Sequence, residues 1–244
     1  PTQASATPPP APPSPTAKAA AAAAVPPIVP PGTHKRAVNC ANRGDYSEAI
    51  RLFSLVLDET PSRLESLIGR GTAYAYSSRL AAALTDFDQA LASTPDDLDL
   101  IARRLQVVQA LNRPVDVVTA ASKLLAARPT DATALHMRGK AYHSLQNYAR
   151  SVADLRALLR VRDGDAAVYN LLGTALSAMG RCNEAIEAYH ATLSYDPNVH
   201  QVYVNLGQAH RDLAQMVEAD EHFSRALALK PDFVPGLHRR ALSR

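Results

Sequence analysis

The chain has 244 residues, with 26 Lys and Arg against 23 Asp and Glu, no Trp, and two cysteines, Cys40 and Cys182. Setting aside Lys18, Arg239, Arg240 and Arg244 leaves 22 basic residues against 23 acidic ones, so the body is near neutral; this argues against a nucleic-acid partner or a membrane surface. Two distant cysteines and no Asn-x-Ser/Thr sequon argue against a secreted disulfide-stapled domain and point to a reducing, intracellular compartment, cytoplasmic or nuclear.

Eleven of the 18 prolines fall in residues 1–31, so residues 1–32 read as a Pro/Ala-rich tail or linker that cannot build a packed core. Its apolar run, Ala19 to Val25, is far too short to span a bilayer. The prolines from Pro8 to Pro15 suit a stiff spacer, and the same composition could dock a proline-reading domain. The chain starts at Pro1 and lacks the order of a signal peptide, so it reads as a piece of a longer protein.

From Pro30 onward a frame of 34 residues fits without insertion or deletion: 30–63, 64–97, 98–131, 132–165, 166–199 and 200–233, with a partial seventh copy at 234–244. Residues 33–244 are therefore expected to form one repeat domain. Repeat position 8 holds Ala37, Gly71, Leu105, Gly139, Gly173, Gly207 and Ala241; position 20 holds Ala49, Ala83, Val117, Ser151, Ala185 and Ala219. Small residues here let two helices approach, and position 24 supplies the large partner in Phe53, Phe87, Leu155, Tyr189 and Phe223, with Ala121 in repeat three. Pro61, Pro95, Pro129, Pro197 and Pro231 stand at position 32, where proline stops a helix; Asp163 is the exception. In the second half of each repeat the apolar residues, such as Ala49, Ile50, Phe53, Val56 and Leu57, make the one-sided stripe of a helix. The predicted unit is helix, turn, helix, stop.

These residues resemble the tetratricopeptide repeat (TPR) family, whose pattern sets a bulky residue at position 4, Gly at 8, Tyr at 11, Ala at 20 and 27, an aromatic at 24 and Pro at 32. Repeat two (Leu67, Gly71, Tyr74, Ala83, Phe87, Ala90, Pro95) and repeat six (Tyr203, Gly207, Ala219, Phe223, Ala226, Pro231) match closely, as does repeat five. The resemblance covers about 215 residues and implies an all-α fold: a right-handed superhelical α-solenoid of six helix pairs plus a partial seventh. Repeat three departs most, through Leu105 and Ala121, and is expected to pack differently and bend the stack. The strings Arg70 to Tyr74 and Arg138 to Tyr142, with Tyr169 to Gly173, look like plant and algal TPR adaptors that restrain immune signalling, and equally like the repeat region of O-GlcNAc transferases.

In this family the first helix of each pair lines the concave face, at positions 2, 5, 6, 9, 12 and 13. From repeat four onward these positions give His136, Lys140, His143, Asn170, Thr174, Gln201, Asn205, Gln208, Arg211, His238 and Arg239 as the partner-binding set. Asp212 is the one carboxylate there, so the surface suits a protein or extended peptide, with acidic side chains or a free carboxylate favoured. The earlier repeats give a blander mix that includes Ile68, Thr72, Tyr76, Arg103 and Gln106. A two-carboxylate clamp for a chaperone C-terminal tail is not expected. Its five positions hold His34, Val38, Gly69, Asp99 and Arg103 in repeats one to three, and His136, Lys140, Leu171, Gln201 and Asn205 in repeats four to six.

Arginine recurs at position 7 (Arg36, Arg70, Arg104, Arg138, Arg240), where each is expected to lie across a neighbouring repeat and pair locally; a basic ladder is the other reading. No cofactor, metal or catalytic site is expected. Gly69 and Gly71 lack a third glycine and a preceding strand, and no His-Glu-x-x-His occurs. His136 and His143 lie seven residues apart on one helix, roughly 10 Å by helical rise, too far to share an ion. Asp163 and Asp165 read as turn and capping residues, and Cys40 and Cys182 as idle thiols. The reading is a non-catalytic scaffold or adaptor. A substrate-recruiting TPR region of a larger enzyme, such as a glycosyltransferase, remains the alternative.

Overall fold

The computed structural model describes residues 29–231, in which twelve helices follow one another without a strand. They are α1 (Thr33–Asn42), α2 (Tyr46–Glu59), α3 (Leu64–Tyr76), α4 (Leu80–Ser93), α5 (Leu98–Ala110), α6 (Pro114–Ala127), α7 (Ala132–Ser144), α8 (Tyr148–Val161), α9 (Ala166–Ala178), α10 (Cys182–Tyr195), α11 (His200–Asp212) and α12 (Met216–Leu229). The second helices begin at residues 46, 80, 114, 148, 182 and 216, a strict spacing of 34. The expected partial seventh repeat, with His238, Arg239, Arg240 and Ala241, and most of the Pro/Ala-rich tail lie outside the described residues.

Local chemistry explains where the helices start and stop. The side chains of Asp45, Asp97, Asp131, Asn147 and Asp165 accept from backbone N–H groups of the following first turn, and Pro114 opens α6, where its missing N–H costs nothing. The prolines at position 32 follow two residues after the second helices end. Between the two helices of each pair, position 15 takes a positive φ in all six turns, at Gly44, Ser78, Asn112, Gln146, Gly180 and Ala214. Only two of these are glycines, so the turn geometry is imposed by helix packing at four positions where it is locally unfavourable.

The small-against-large pairing of positions 8 and 24 holds each pair together. A Cβ on Gly71 would lie 2.7 Å from the Phe87 ring, one on Gly173 2.5 Å from Tyr189, and one on Gly207 2.6 Å from Phe223. Each aromatic ring therefore rests on bare backbone of its partner helix. Repeat three reverses the sizes: Leu105 and Ala121 are both fully buried, with the large residue on α5 and the small one on α6. The exchange keeps the volume filled, yet α5 and α6 approach each other less extensively than any other pair, and α6 packs more closely on α7.

First helices also touch the next first helices, α1 with α3, α3 with α5, α7 with α9 and α9 with α11. They lie side by side and form one face of the stack.

Candidate functional site

Among the described residues the predicted partner-binding set lies on α7, α9 and α11, on one side of the stack, and neighbouring repeats are tied there by polar contacts. The Thr174 hydroxyl lies 3.2 Å from His143 Nε2, bridging α9 to α7, and His143 meets the Tyr148 ring edge-on at 5.4 Å. Burial holds the His143 imidazole below its ordinary pKa, so it is neutral near pH 7. On α11, Gln201 donates to Asn205, Gln208 donates to Asp212, and Arg211 donates to Gln208 at 2.7 Å. Asp212 thus anchors the amide that holds Arg211, which softens the basic character expected of this end. Lys140 is exposed on α7. Asn170 Oδ1 on α9 is buried with no hydrogen-bond partner, an acceptor facing no donor of its own chain.

The earlier repeats are less bland than their composition. Thr72, Tyr76, Arg103 and Gln106 line a cavity of about 240 Å³ between repeats two and three, floored by Phe87 and Val107. Arg103 reaches Thr72 Oγ1 at 3.4 Å across the repeat boundary, and Tyr76 is exposed while its ring stacks on Tyr46 at 5.3 Å. A 31-residue step separates Thr72 from Arg103 and His143 from Thr174, so the same diagonal spacing ties neighbouring first helices at both places.

Of the position-7 arginines, Arg70, Arg104 and Arg138 pair locally, as the covering role requires, while Arg36 is exposed on α1. Arg70 grips Asp86 with two hydrogen bonds of 2.9 and 2.8 Å and donates to Ser54 at 3.1 Å; its guanidinium also sits 5.8 Å from the Tyr74 ring centroid. Arg138 repeats the arrangement with Asp154, Ser122 and Tyr142 at nearly identical distances. Arg104 pairs instead with Asp88. The hydrogen-bonded carboxylates raise the pKa of Arg70 and Arg138 further above the physiological range, fixing these charges in the structure. Arg70 and Arg138 are joints between repeats, and with Arg104 they are committed to their own chain.

Three imidazoles that sequence reasoning did not bring together converge at the far end. His190 on α10, His210 on α11 and His222 on α12 each offer one ring nitrogen, all within 4.8 Å of one another. The rings of His210 and His222 stack at 5.0 Å. His210 Nδ1 lies 2.8 Å from Gln215 Oε1, and its Nε2 is buried without a partner among the described residues. Burial, assisted by His210 and His190 and opposed by Glu218, pushes the His222 pKa down to about 4. Ligand spacings within a single helix do not reveal them, because these residues come from three helices. Cys40 is half-buried and Cys182 buried, 142 residues apart in sequence.

Residues 36–98 and 170–232 match a family model described as "Tetratricopeptide repeat", and residues 132–164 match a second model of the same description. No curated protein matches the chain. Among solved structures, the MamA protein is 20% identical with a TM-score of 0.64, over 70% of this chain and 94% of that one. YrrB, described as a TPR protein with an unusual peptide-binding site, is 18% identical with a TM-score of 0.69, over 78% and 97%. A tetratricopeptide repeat protein from Parabacteroides merdae ATCC 43184 is 16% identical with a TM-score of 0.58, over 86% and 97%. Likeness at this level concerns the fold. Nothing in these comparisons supports the narrower likeness to immune-restraining adaptors or to O-GlcNAc transferases. No helix among the described residues is long and apolar enough to cross a membrane.

Proposed function

Because the chain belongs to the tetratricopeptide repeat family, we propose that it is a non-catalytic scaffold that holds an extended peptide segment of a partner protein along the face formed by α3, α5, α7, α9 and α11. The observation that carries this reading is the buried, unpartnered Asn170 Oδ1 in the middle of that face. An unsatisfied buried acceptor costs roughly 1–3 kcal/mol, and a backbone N–H of an extended peptide would satisfy it. Around it the half-buried His136, His143, Thr174, Asn205 and Gln208 offer hydrogen bonds to main chain on either side. Lys140 and Arg211 flank the same row and favour a segment with acidic side chains or a terminal carboxylate. YrrB, which shares the fold, is described as having a peptide-binding site, and a family member using its repeats in this way fits the reading.

The test is affinity capture with the whole chain, comparing wild type with a Lys140→Glu/Arg211→Glu variant and with Asn170→Ala. The charge reversal is expected to leave helicity and melting unchanged, and Asn170→Ala, which removes a buried acceptor that has no partner among the described residues, should leave helicity unchanged and melting unchanged or slightly raised. The charge reversal should abolish capture of the partner, and Asn170→Ala should weaken it about tenfold, as expected for one lost hydrogen bond. Undiminished capture of the same partner by the charge-reversed chain would rule this face out.

A further inference from the structure

The junctions between repeats use four equivalent positions: 25 of the preceding repeat, then 7, 11 and 23 of the next. At the entries to repeats two and four these are Ser54, Arg70, Tyr74, Asp86 and Ser122, Arg138, Tyr142, Asp154, each a closed set with the guanidinium at its centre. At the entry to repeat six the same four positions hold His190, Leu206, His210 and His222. The central cation has been replaced by a fully buried leucine, and the three surrounding partners have all become imidazoles. A space that elsewhere surrounds a positive charge is here surrounded by nitrogen lone pairs.

We propose that His190, His210 and His222 form a binding site for one divalent transition-metal ion of the Zn2+ class, joining α10, α11 and α12. Neutral imidazole is a strong ligand for such ions and a poor one for Mg2+ or Ca2+, which demand oxygen. Zn–N bonds of about 2.0–2.1 Å in a tetrahedral site set the nitrogens about 3.3–3.4 Å apart. The three nitrogens already lie within 4.8 Å of one another, and a closure of at most about 1.5 Å is within reach of side-chain rotation, since His190 is exposed and the other two are half-buried.

One ligand is already oriented. With Gln215 Oε1 accepting from Nδ1–H, the lone pair of His210 falls on Nε2, the atom left buried and unpartnered. Fixing the tautomer through the second nitrogen is how ligating histidines are generally held. Glu218, one helical turn before His222 on α12, places a carboxylate charge beside the cluster that offsets the incoming cation. Three protein ligands leave a fourth coordination position for water.

The experiment is calorimetric titration of the full 244-residue chain, stripped with chelator, with ZnCl2 alone, alongside thermal melts and Co2+ absorption. The expected result is one Zn2+ per chain, a melting temperature raised by several degrees, visible Co2+ bands of a tetrahedral nitrogen site, and no response to MgCl2. His190→Ala removes an exposed side chain and should keep wild-type helicity while weakening Zn2+ binding at least about 100-fold, as loss of one of three ligands requires; His222→Ala should do the same. His34→Ala, on α1 and away from the cluster, should bind as wild type. Absence of saturable Zn2+ binding, or binding that survives both His190→Ala and His222→Ala, overturns the proposal. So does binding that His34→Ala removes.

Discussion

The entry to repeat two and the entry to repeat six are built on the same backbone positions with opposite chemistry. At the first, Arg70 donates three hydrogen bonds, two to Asp86 and one to Ser54, and lies against the Tyr74 ring, so the charge is paired within the chain. At the second, Leu206 fills the central position with hydrocarbon, and His190, His210 and His222 are left facing one another. The frame of 34 residues dictates which side chains meet, and the identity of those side chains decides whether the meeting is a closed joint or an open ligand set. A solenoid can therefore vary chemistry at one junction without disturbing the next, because each repeat contacts only its neighbours.

The largest effect that tests this contrast is at the closed joint. The Asp86 side chain is 3% exposed and that of Arg70 21%, so Asp86→Ala strands a guanidinium that water reaches only in part. The expected cost is about 2–3 kcal/mol, below the full range for a buried pair because of that residual exposure. The readout is the urea midpoint. Adding Arg70→Leu, which installs the leucine that Leu172 and Leu206 place at position 7 of repeats five and six, should recover at least half of the loss. A cost under about 0.5 kcal/mol for Asp86→Ala would mean that the joint is held by packing alone, and the contrast with repeat six would be one of composition only.

A smaller effect separates the two junctions by pH. With chelator present, His222 titrates near 4 in the folded chain against about 6.5 unfolded. The unfolded chain then takes up the proton more readily, so the stabilisation is complete above pH 6.5 and is lost as the pH falls from 6.5 toward 4. Among the described residues the groups facing His222 are His190 on α10, His210 and Tyr203 on α11, and Glu218 on its own helix. Because His222 is only half-buried, solvent screening keeps the effect on the order of 1 kcal/mol. The difference between wild type and His222→Asn in urea midpoint, measured at pH 7.5, 5.5 and 4.5, isolates it from other titrating groups. Arg70 keeps its charge throughout this range, so the entry to repeat two contributes nothing from its cation. Equal pH slopes in wild type and variant would remove His222 as the source.

How much of this was legible in the sequence follows from the same geometry. Period, turn prolines and the pairing of Gly71 with Phe87, Gly173 with Tyr189 and Gly207 with Phe223 repeat at constant spacing, so the helix pairs and their packing could be read by counting. The exchange of sizes at Leu105 and Ala121 was visible as a departure, but its consequence, a looser pair with α6 leaning on α7, depends on how neighbours fill the space. The local pairing of Arg70, Arg104 and Arg138 was legible in kind, while their partners, 16 residues away on another helix, were not. The histidine cluster escaped because its members sit at three different repeat positions. The signal was present all the same: at positions 25, 7, 11 and 23 the Ser, Arg, Tyr and Asp of the entries to repeats two and four are replaced at the entry to repeat six by His190, Leu206, His210 and His222.

The finest distinction between the junctions concerns Gln215. In the turn after α11 its backbone N–H donates to the His210 carbonyl at 2.9 Å, and its side-chain oxygen meets His210 Nδ1. The Gln215→Ala substitution keeps the backbone bond and removes only the side-chain partner of an imidazole that water can reach on that side. Folding stability should therefore change by less than about 0.5 kcal/mol. Zn2+ affinity in the same calorimetric titration should fall about 10–100-fold, since the lone pair of His210 is no longer confined to the buried nitrogen. A purely structural Gln215 would move neither quantity or would move stability alone. Loss of affinity without loss of stability is the outcome that only a positioning role produces, and it would mark the entry to repeat six as a ligand set held ready, where the entry to repeat two is a joint already closed.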